Sequence, residues 1–156
     1  MRARLIAVGT RMPEWVRSAS ADYLRRLKST LALQLLEIAP APRRAGGNAQ
    51  LAIEAEGRRL LAALTPSEHV IALDERGRQL STRELASWLA TRQQQGDDLA
   101  FVIGGADGLA RAVLERSNFT LALSRLTLPH ALARVLLTEQ LYRAHCILVN
   151  HPYHRD

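Results

Sequence analysis

The sequence predicts an α/β fold: a mostly parallel sheet with helices on both faces. Two observations carry this. Five short apolar runs alternate with five helical patterns along the 156 residues. The runs are also close to continuously apolar, as strands buried on both faces must be, and do not alternate in polarity. The length suits one domain, residues 1–156, around a single core.

Residues 3–9 (ARLIAVG) form the first apolar run and close on glycine. Pro13 then opens a helix with Val16, Ala19, Tyr23, Leu24 and Leu27 on one face. Arg17, Arg25 and Lys28 occupy the opposite stripe, where a solvated face is expected ahead of one that tracks phosphates. Residues 32–38 (ALQLLEI) are the second strand, and PAPRRAGG at 40–47, basic and rich in Pro and Gly, is expected to be a mobile loop. Asn48 caps a helix carrying Ile53, Gly57, Leu60, Leu61 and Leu64, in which Gly57 costs about 1 kcal/mol relative to alanine.

Residues 69–74 (HVIALD) are the third strand. Ser81-Thr82-Arg83-Glu84 is a capping box ahead of Leu85, Trp88 and Leu89, so a helix begins there with two orphan amides satisfied. Residues 98–103 (DLAFVI) run into Gly104-Gly105, 107–117 reads as a short helix, and 119–124 (FTLALS) as the fifth strand. After Leu126-Thr127-Leu128-Pro129 a long helix spans about Ala131 to His145, and the tail NHPYHRD is irregular.

Charge departs from the average for a soluble domain. Lys and Arg total 21 against 15 Asp and Glu, a net +6, and every cation but Lys28 is arginine. Such a field concentrates polyanions, and guanidinium forks match phosphate geometry. Aromatic residues are only 4% of the chain, which argues against a base-stacking sheet. The sequence has neither an apolar run long enough to span a membrane nor a secretory h-region, and a cytoplasmic protein is expected. Cys146, the single cysteine, allows no internal disulfide and agrees with a reducing compartment.

In an open parallel sheet, ligands bind beyond the carboxyl ends of the strands. Three segments meet that criterion: Leu73-Asp74 and the turn after it, Gly104-Gly105-Ala106-Asp107-Gly108, and Leu123 to Pro129. Glycines there serve tight turns, and they also let a ligand approach the backbone. The first strand is followed by Val8-Gly9-Thr10-Arg11-Met12-Pro13, which lacks the later glycines of a dinucleotide fingerprint, and no lysine follows a glycine loop. Nicotinamide cofactors and Walker-type phosphoryl transfer are therefore disfavoured.

His145, His151 and His154 fall within the last twelve residues, and His130 follows Pro129. Cys146 with His151 and His154 lacks the ligand count and spacing of a zinc site, so no metal is expected. The tail Asn150-His151-Pro152-Tyr153-His154-Arg155 holds an aromatic ring, two imidazoles and a guanidinium. These can stack a base, move a proton and contact a phosphate.

Together, Val102-Ile103-Gly104-Gly105-Ala106-Asp107-Gly108-Leu109, Leu126-Thr127-Leu128-Pro129-His130, Leu141-Tyr142-Arg143-Ala144 and Asn150-His151-Pro152-Tyr153-His154-Arg155 closely resemble the RlmH family of small SPOUT-class RNA methyltransferases. Val8-Gly9-Thr10-Arg11-Met12-Pro13 and Tyr23-Leu24-Arg25-Arg26 extend the likeness over the whole chain. The resemblance implies a single SPOUT domain with a C-terminal trefoil knot, an exception to the rule that chains do not thread loops. It further implies a homodimer that uses S-adenosylmethionine to methylate N3 of a pseudouridine in 23S ribosomal RNA, on the assembled ribosome. By the same likeness the donor pocket falls on Leu73, Gly104, Leu123, Ser124, Arg125, Leu126, Thr127 and Leu128. Ala106-Asp107 departs from the proline and glutamate of many members, keeping the acid while loosening the turn.

For the methyl transfer the candidate groups are His130 and His154 as proton acceptors, Tyr153 to stack the target base, and Arg155 to contact phosphate or the developing anion. The long helix offers Leu132, Val135, Leu136 and Cys146 for burial between two copies. Two other classes stay open at this point: a non-catalytic RNA-binding or ribosome-associated module, and a metabolic α/β enzyme acting on a small anion.

Overall fold

The strands are β1 (Ala3–Val8), β2 (Leu33–Ile38), β3 (His69–Gln79), β4 (Leu99–Ile103) and β5 (Phe119–Ala122), and the helices α1 (Glu14–Leu27), α2 (Ala49–Ala63), α3 (Thr82–Gln95), α4 (Arg111–Arg116) and α5 (His130–Leu148). The computed structural model describes residues 1–155. All strand pairs are parallel, and the sheet runs β2-β1-β4-β3-β5. Alternate side chains of each strand feed opposite faces. Leu5, Ala7 and Phe101 meet Leu27, Leu89, Leu137 and Leu141, so α1, α3 and α5 cover one face. Ile6, Val8 and Val102 meet Leu60, Ala110 and Val113 under α2 and α4. The expected two-faced, parallel α/β architecture is present.

Local chemistry sets the helix starts. Glu84 N donates to Ser81 Oγ at 3.2 Å and Ser81 N donates to Glu84 Oε2 at 2.7 Å, which completes the capping box. Asn48 Oδ1 accepts from Gln50 N at 2.9 Å at the head of α2. On α1, Arg17 pairs with Glu14, and Arg25 and Arg26 share Asp22, so this exposed basic stripe is only partly offset by its own acids. Gly57 has a packing reason: a Cβ there would lie 2.5 Å from that of Ala110.

Most boundaries shift by a residue or two, β5 for instance ending at Ala122 and not 124, and some shifts have a clear cause. β3 continues past Asp74 because residues 74–77 bulge outward. Leu121 pairs first with Leu73 and then with Arg78, and Gly77 lies so close that its Cβ would be 2.7 Å from the Thr120 backbone. α4 begins at Arg111 and not 107, because Gly105 and Gly108 bridge each other, Gly108 has φ +88° and Ala110 is extended. α5 starts at His130 and reaches Leu148. The loop expected to be mobile is fastened at its start: Ala41 is buried and its N–H donates to Glu56 Oε1 at 3.0 Å. Cys146 is likewise buried within its own chain, so it is not available to an interface.

Candidate active site

The carboxyl ends of β3, β4 and β5 enclose a cleft of about 670 Å³. Of the expected donor residues, Leu73, Gly104, Leu123, Ser124, Leu126, Thr127 and Leu128 line it, joined by Ile103, Leu121 and the 105–109 turn. Arg125 is exposed and does not line the wall, although both of its neighbours do. Gly104 is required by close approach: a Cβ there would meet Gly108 O at 2.5 Å. The rims are tied together, since Thr127 Oγ1 donates to Glu75 Oε2 at 2.8 Å. Beside them, Asp74 accepts the Arg76 backbone N–H at 2.8 Å and its guanidinium at 2.9 Å, which holds its carboxyl below the usual range.

A second cavity of about 480 Å³ adjoins the cleft. It is lined by Val8 to Met12, Pro40 and Arg43, and it shares Gly105, Ala106 and His130 with the first. His130 therefore stands between the two spaces, at the start of α5. Burial pushes its pKa down, Arg134 and Arg43 push the same way, and Glu56 opposes them.

Under the glycine turn lies a carboxylate that the sequence reading missed. Glu56 is 1% exposed. It accepts from Arg43 Nη1 at 2.7 Å, and its Oε2 lies 2.9 Å from where a Gly105 Cβ would be. Arg43 Nε also donates to Asp107 Oδ2 at 2.7 Å, so the basic loop, α2 and the turn form one network. The acid at position 107, noted above as a departure in type only, is what the turn presents to Arg43. The available signal was the coincidence of a basic loop with an acid in a glycine turn.

The tail lies elsewhere. His151 N donates to Cys146 O at 2.8 Å, turning the chain back along α5. The Tyr153 ring packs edge-on to Tyr142 at 4.7 Å and under the Arg143 guanidinium at 4.7 Å, and its hydroxyl bonds to Tyr23 and Glu139. Glu139 is about 13 Å further along the helix than His130. Within one chain the structure thus brings His130 to the cleft, and holds Tyr153, with His154 and Arg155 after it, away from it.

A family model described as "Predicted SPOUT methyltransferase" matches residues 1–154. The chain belongs to the SPOUT methyltransferase family. Among its relatives, this SPOUT methyltransferase is 54% identical to the Ribosomal RNA large subunit methyltransferase H of Thiobacillus denitrificans over 156 residues, all of both chains. It is 50% identical to the protein of the same name from Xanthomonas campestris pv. campestris over 155 residues, 99% of each chain. Solved structures agree on the fold. One from Bordetella pertussis Tohama I superposes with TM-score 0.56 at 23% identity, covering 92% of this chain and 95% of the other. A methylase-family structure from Haemophilus influenzae Rd KW20 gives 0.52 at 19% identity, over 99% of this chain and 70% of that one.

Proposed function

We propose that this SPOUT methyltransferase transfers a methyl group from S-adenosylmethionine to N3 of pseudouridine 1915 in 23S ribosomal RNA, as a homodimer working in the cytoplasm on the assembled ribosome. The observation that carries the reading is the convergence of the Gly104 turn and the 123–128 segment on one cleft, beside a second cavity reached past His130. The names of its full-length relatives support the substrate class.

The residues present fit the donor. Leu73, Ile103, Leu121 and Leu128 give apolar walls for a planar ring, the glycine turn offers backbone at close range, and Glu75 gives the rim a negative charge suited to a sulfonium. S-adenosylmethionine, when bound, supplies an electrophilic methyl group. Everything else is asked of the chain: to hold the donor, to orient the acceptor nitrogen and to take its proton. His130, kept neutral at pH 7, accepts the N3 proton as the N3–H bond gives way to N3–CH3, and His154 is the alternative acceptor. Among the described residues no group of three or more His, Cys, Asp or Glu could hold a metal ion, and the reading requires none.

Because the tail of one chain is held away from its own cleft, the reading places Tyr153, His154 and Arg155 of a second copy over the acceptor. Leu132, Val135 and Leu136 on α5, with Leu148 and Val149, form the apolar surface for that pairing. The trefoil crossing implied by the resemblance belongs to the same reading. No helix is long and apolar enough to cross a membrane among the described residues.

Mass spectrometry of large-subunit RNA from cells lacking the protein tests the assignment. Loss of one methyl group on a pseudouridine is expected. Its persistence, with salt-sensitive RNA binding and no binding of S-adenosylmethionine in calorimetry, would leave a non-catalytic RNA-binding module instead. Unchanged methylation at saturating donor in both His130→Ala and His154→Ala would remove the proton-acceptor roles.

A further inference from the structure

Arg134 is the largest fully buried side chain of the molecule, at 2% exposure. It follows His130 by four residues, so both lie on one face of α5. Its Nη2 donates to the Gly9 carbonyl oxygen at 3.1 Å, its Nη1 stands 3.4 Å from Glu37 Oε2, and its Nε makes no hydrogen bond within the described residues. A buried guanidinium with so few partners is a poor device for stability, since its desolvation is only partly offset. Its position suggests another use. Gly9 has φ +120°, and a Cβ there would lie 3.5 Å from Arg134 Nη2 and 3.7 Å from His130 Nε2. The guanidinium and the imidazole therefore face the same point, behind the wall that Gly9 gives to the second cavity.

Resting on the reading of His130 as proton acceptor, we infer that Arg134 is a positioning residue for methyl transfer. Its fixed buried charge keeps His130 neutral and aimed at the cavity, and makes that cavity receptive to a nucleobase losing its imide proton. Charged groups face His130 from several elements. Arg134 lies on the same helix, Glu56 on α2, Arg43 on the loop before it, Arg11 on the β1–α1 loop, Asp107 on the turn after β4, and Asp74, Glu75 and Arg76 on the β3 bulge. Most of these are balanced: Arg43 is bound to Glu56 and Asp107, Arg76 to Asp74, and Glu75 accepts from Thr127. In number these acids and cations roughly cancel, with Glu37 set loosely against Arg134, but Arg134 is the charge that acts most strongly on His130. A guanidinium does not titrate in the working range, so the charge beside His130 is constant while the imidazole titrates. A neutral imidazole can take the proton, and the guanidinium on the same side of Gly9 favours the imide anion that results.

The test combines a histidine NMR titration of the full chain, with the His130 signal assigned by its absence in His130→Gln, and the pH profile of methylation. In Arg134→Met the His130 midpoint should rise by about one pH unit. The acid limb of kcat should move up with it, kcat on the plateau should fall roughly tenfold, and KM for the donor should hold. Arg134→Lys should restore the midpoint and most of kcat. An Arg134→Met protein with an unmoved His130 midpoint, or with a wild-type kcat plateau, overturns the inference. Should Arg134→Met not fold, Glu37→Gln removes only the half-exposed counter-charge. It should lower the His130 midpoint by a few tenths of a unit, and a rise or no change overturns the inference. If wild-type protein does not methylate, the reaction proposed above fails on its own account. An Arg134-dependent His130 titration then still supports the coupling of the two residues.

Discussion

The Tyr153 hydroxyl donates to Glu139 Oε1 at 3.1 Å, fastening the end of the chain to α5 of the same protomer. Glu139 also receives the Arg143 guanidinium at 2.6 Å, and the Tyr153 ring lies against that guanidinium, so three side chains share one anchor. Burial and the nearby Tyr23 and Glu139 push the Tyr153 phenol well above its ordinary pKa, which keeps it a donor at every working pH. The tail thus has a set posture before any RNA arrives.

Tyr153→Phe should keep the ring in place and lose about 1 kcal/mol of tail docking. Methylation per encounter with RNA should fall several-fold while calorimetric affinity for S-adenosylmethionine stays constant. Parallel loss of donor affinity would mean that the tail and the cleft are not separable.

The two glycines with backbone or Cβ neighbours at 2.5 Å should answer differently to alanine. Gly104→Ala should open the turn and weaken donor binding tenfold or more, an effect of about 1.4 kcal/mol, with a smaller change in stability. Gly57→Ala should cost about 1–3 kcal/mol in urea unfolding through its clash with Ala110, despite the better helix propensity of alanine.

Removing the Arg43 side chain leaves the buried Glu56 carboxylate with the Ala41 amide as its remaining contact. Arg43→Ala should cost about 1–3 kcal/mol, discounted for the partial exposure of Arg43. Hydrogen exchange should quicken at the Ala41 amide and across the 105–108 turn. Unchanged exchange at the turn would show that Arg43 secures only its own loop.

Acid should weaken the fold before the carboxylates titrate. His130, His145 and His69 all have pKa values held below 6.5, chiefly by burial. The unfolded chain therefore binds more protons than the folded one as pH falls below that value, and stability declines from there down to the folded-state midpoints. Tm should be level above about pH 7 and fall between pH 6.5 and 5. His145→Gln should flatten part of that slope, and an equally steep slope in this variant would remove its share.

Much of this was legible in the residues. Continuous apolar runs announced the parallel sheet, and Ser81 with Glu84 fixed the start of α3 through two hydrogen bonds that depend only on local spacing. The cleft at the strand ends was legible because strand ends and glycines mark it regardless of what packs around them. The second cavity was not, for Glu56 and Arg134 look like ordinary helix-surface charges until tertiary packing buries them. The bulge at 74–77 was hidden for a related reason: it arises from the double pairing of Leu121, a relation between strands that no single window contains.

Translation proceeds from the amino end, and the cleft takes its last wall from Leu123–His130 and its covering helix from α5. A nascent chain halted at Ala122 owns every strand of the sheet but lacks both. One face of that sheet, with Phe101 and Leu99 on it, waits for a helix not yet made. A chain stopped at Ala122 is thus left with a greasy, partly uncovered sheet face and an unfinished pocket.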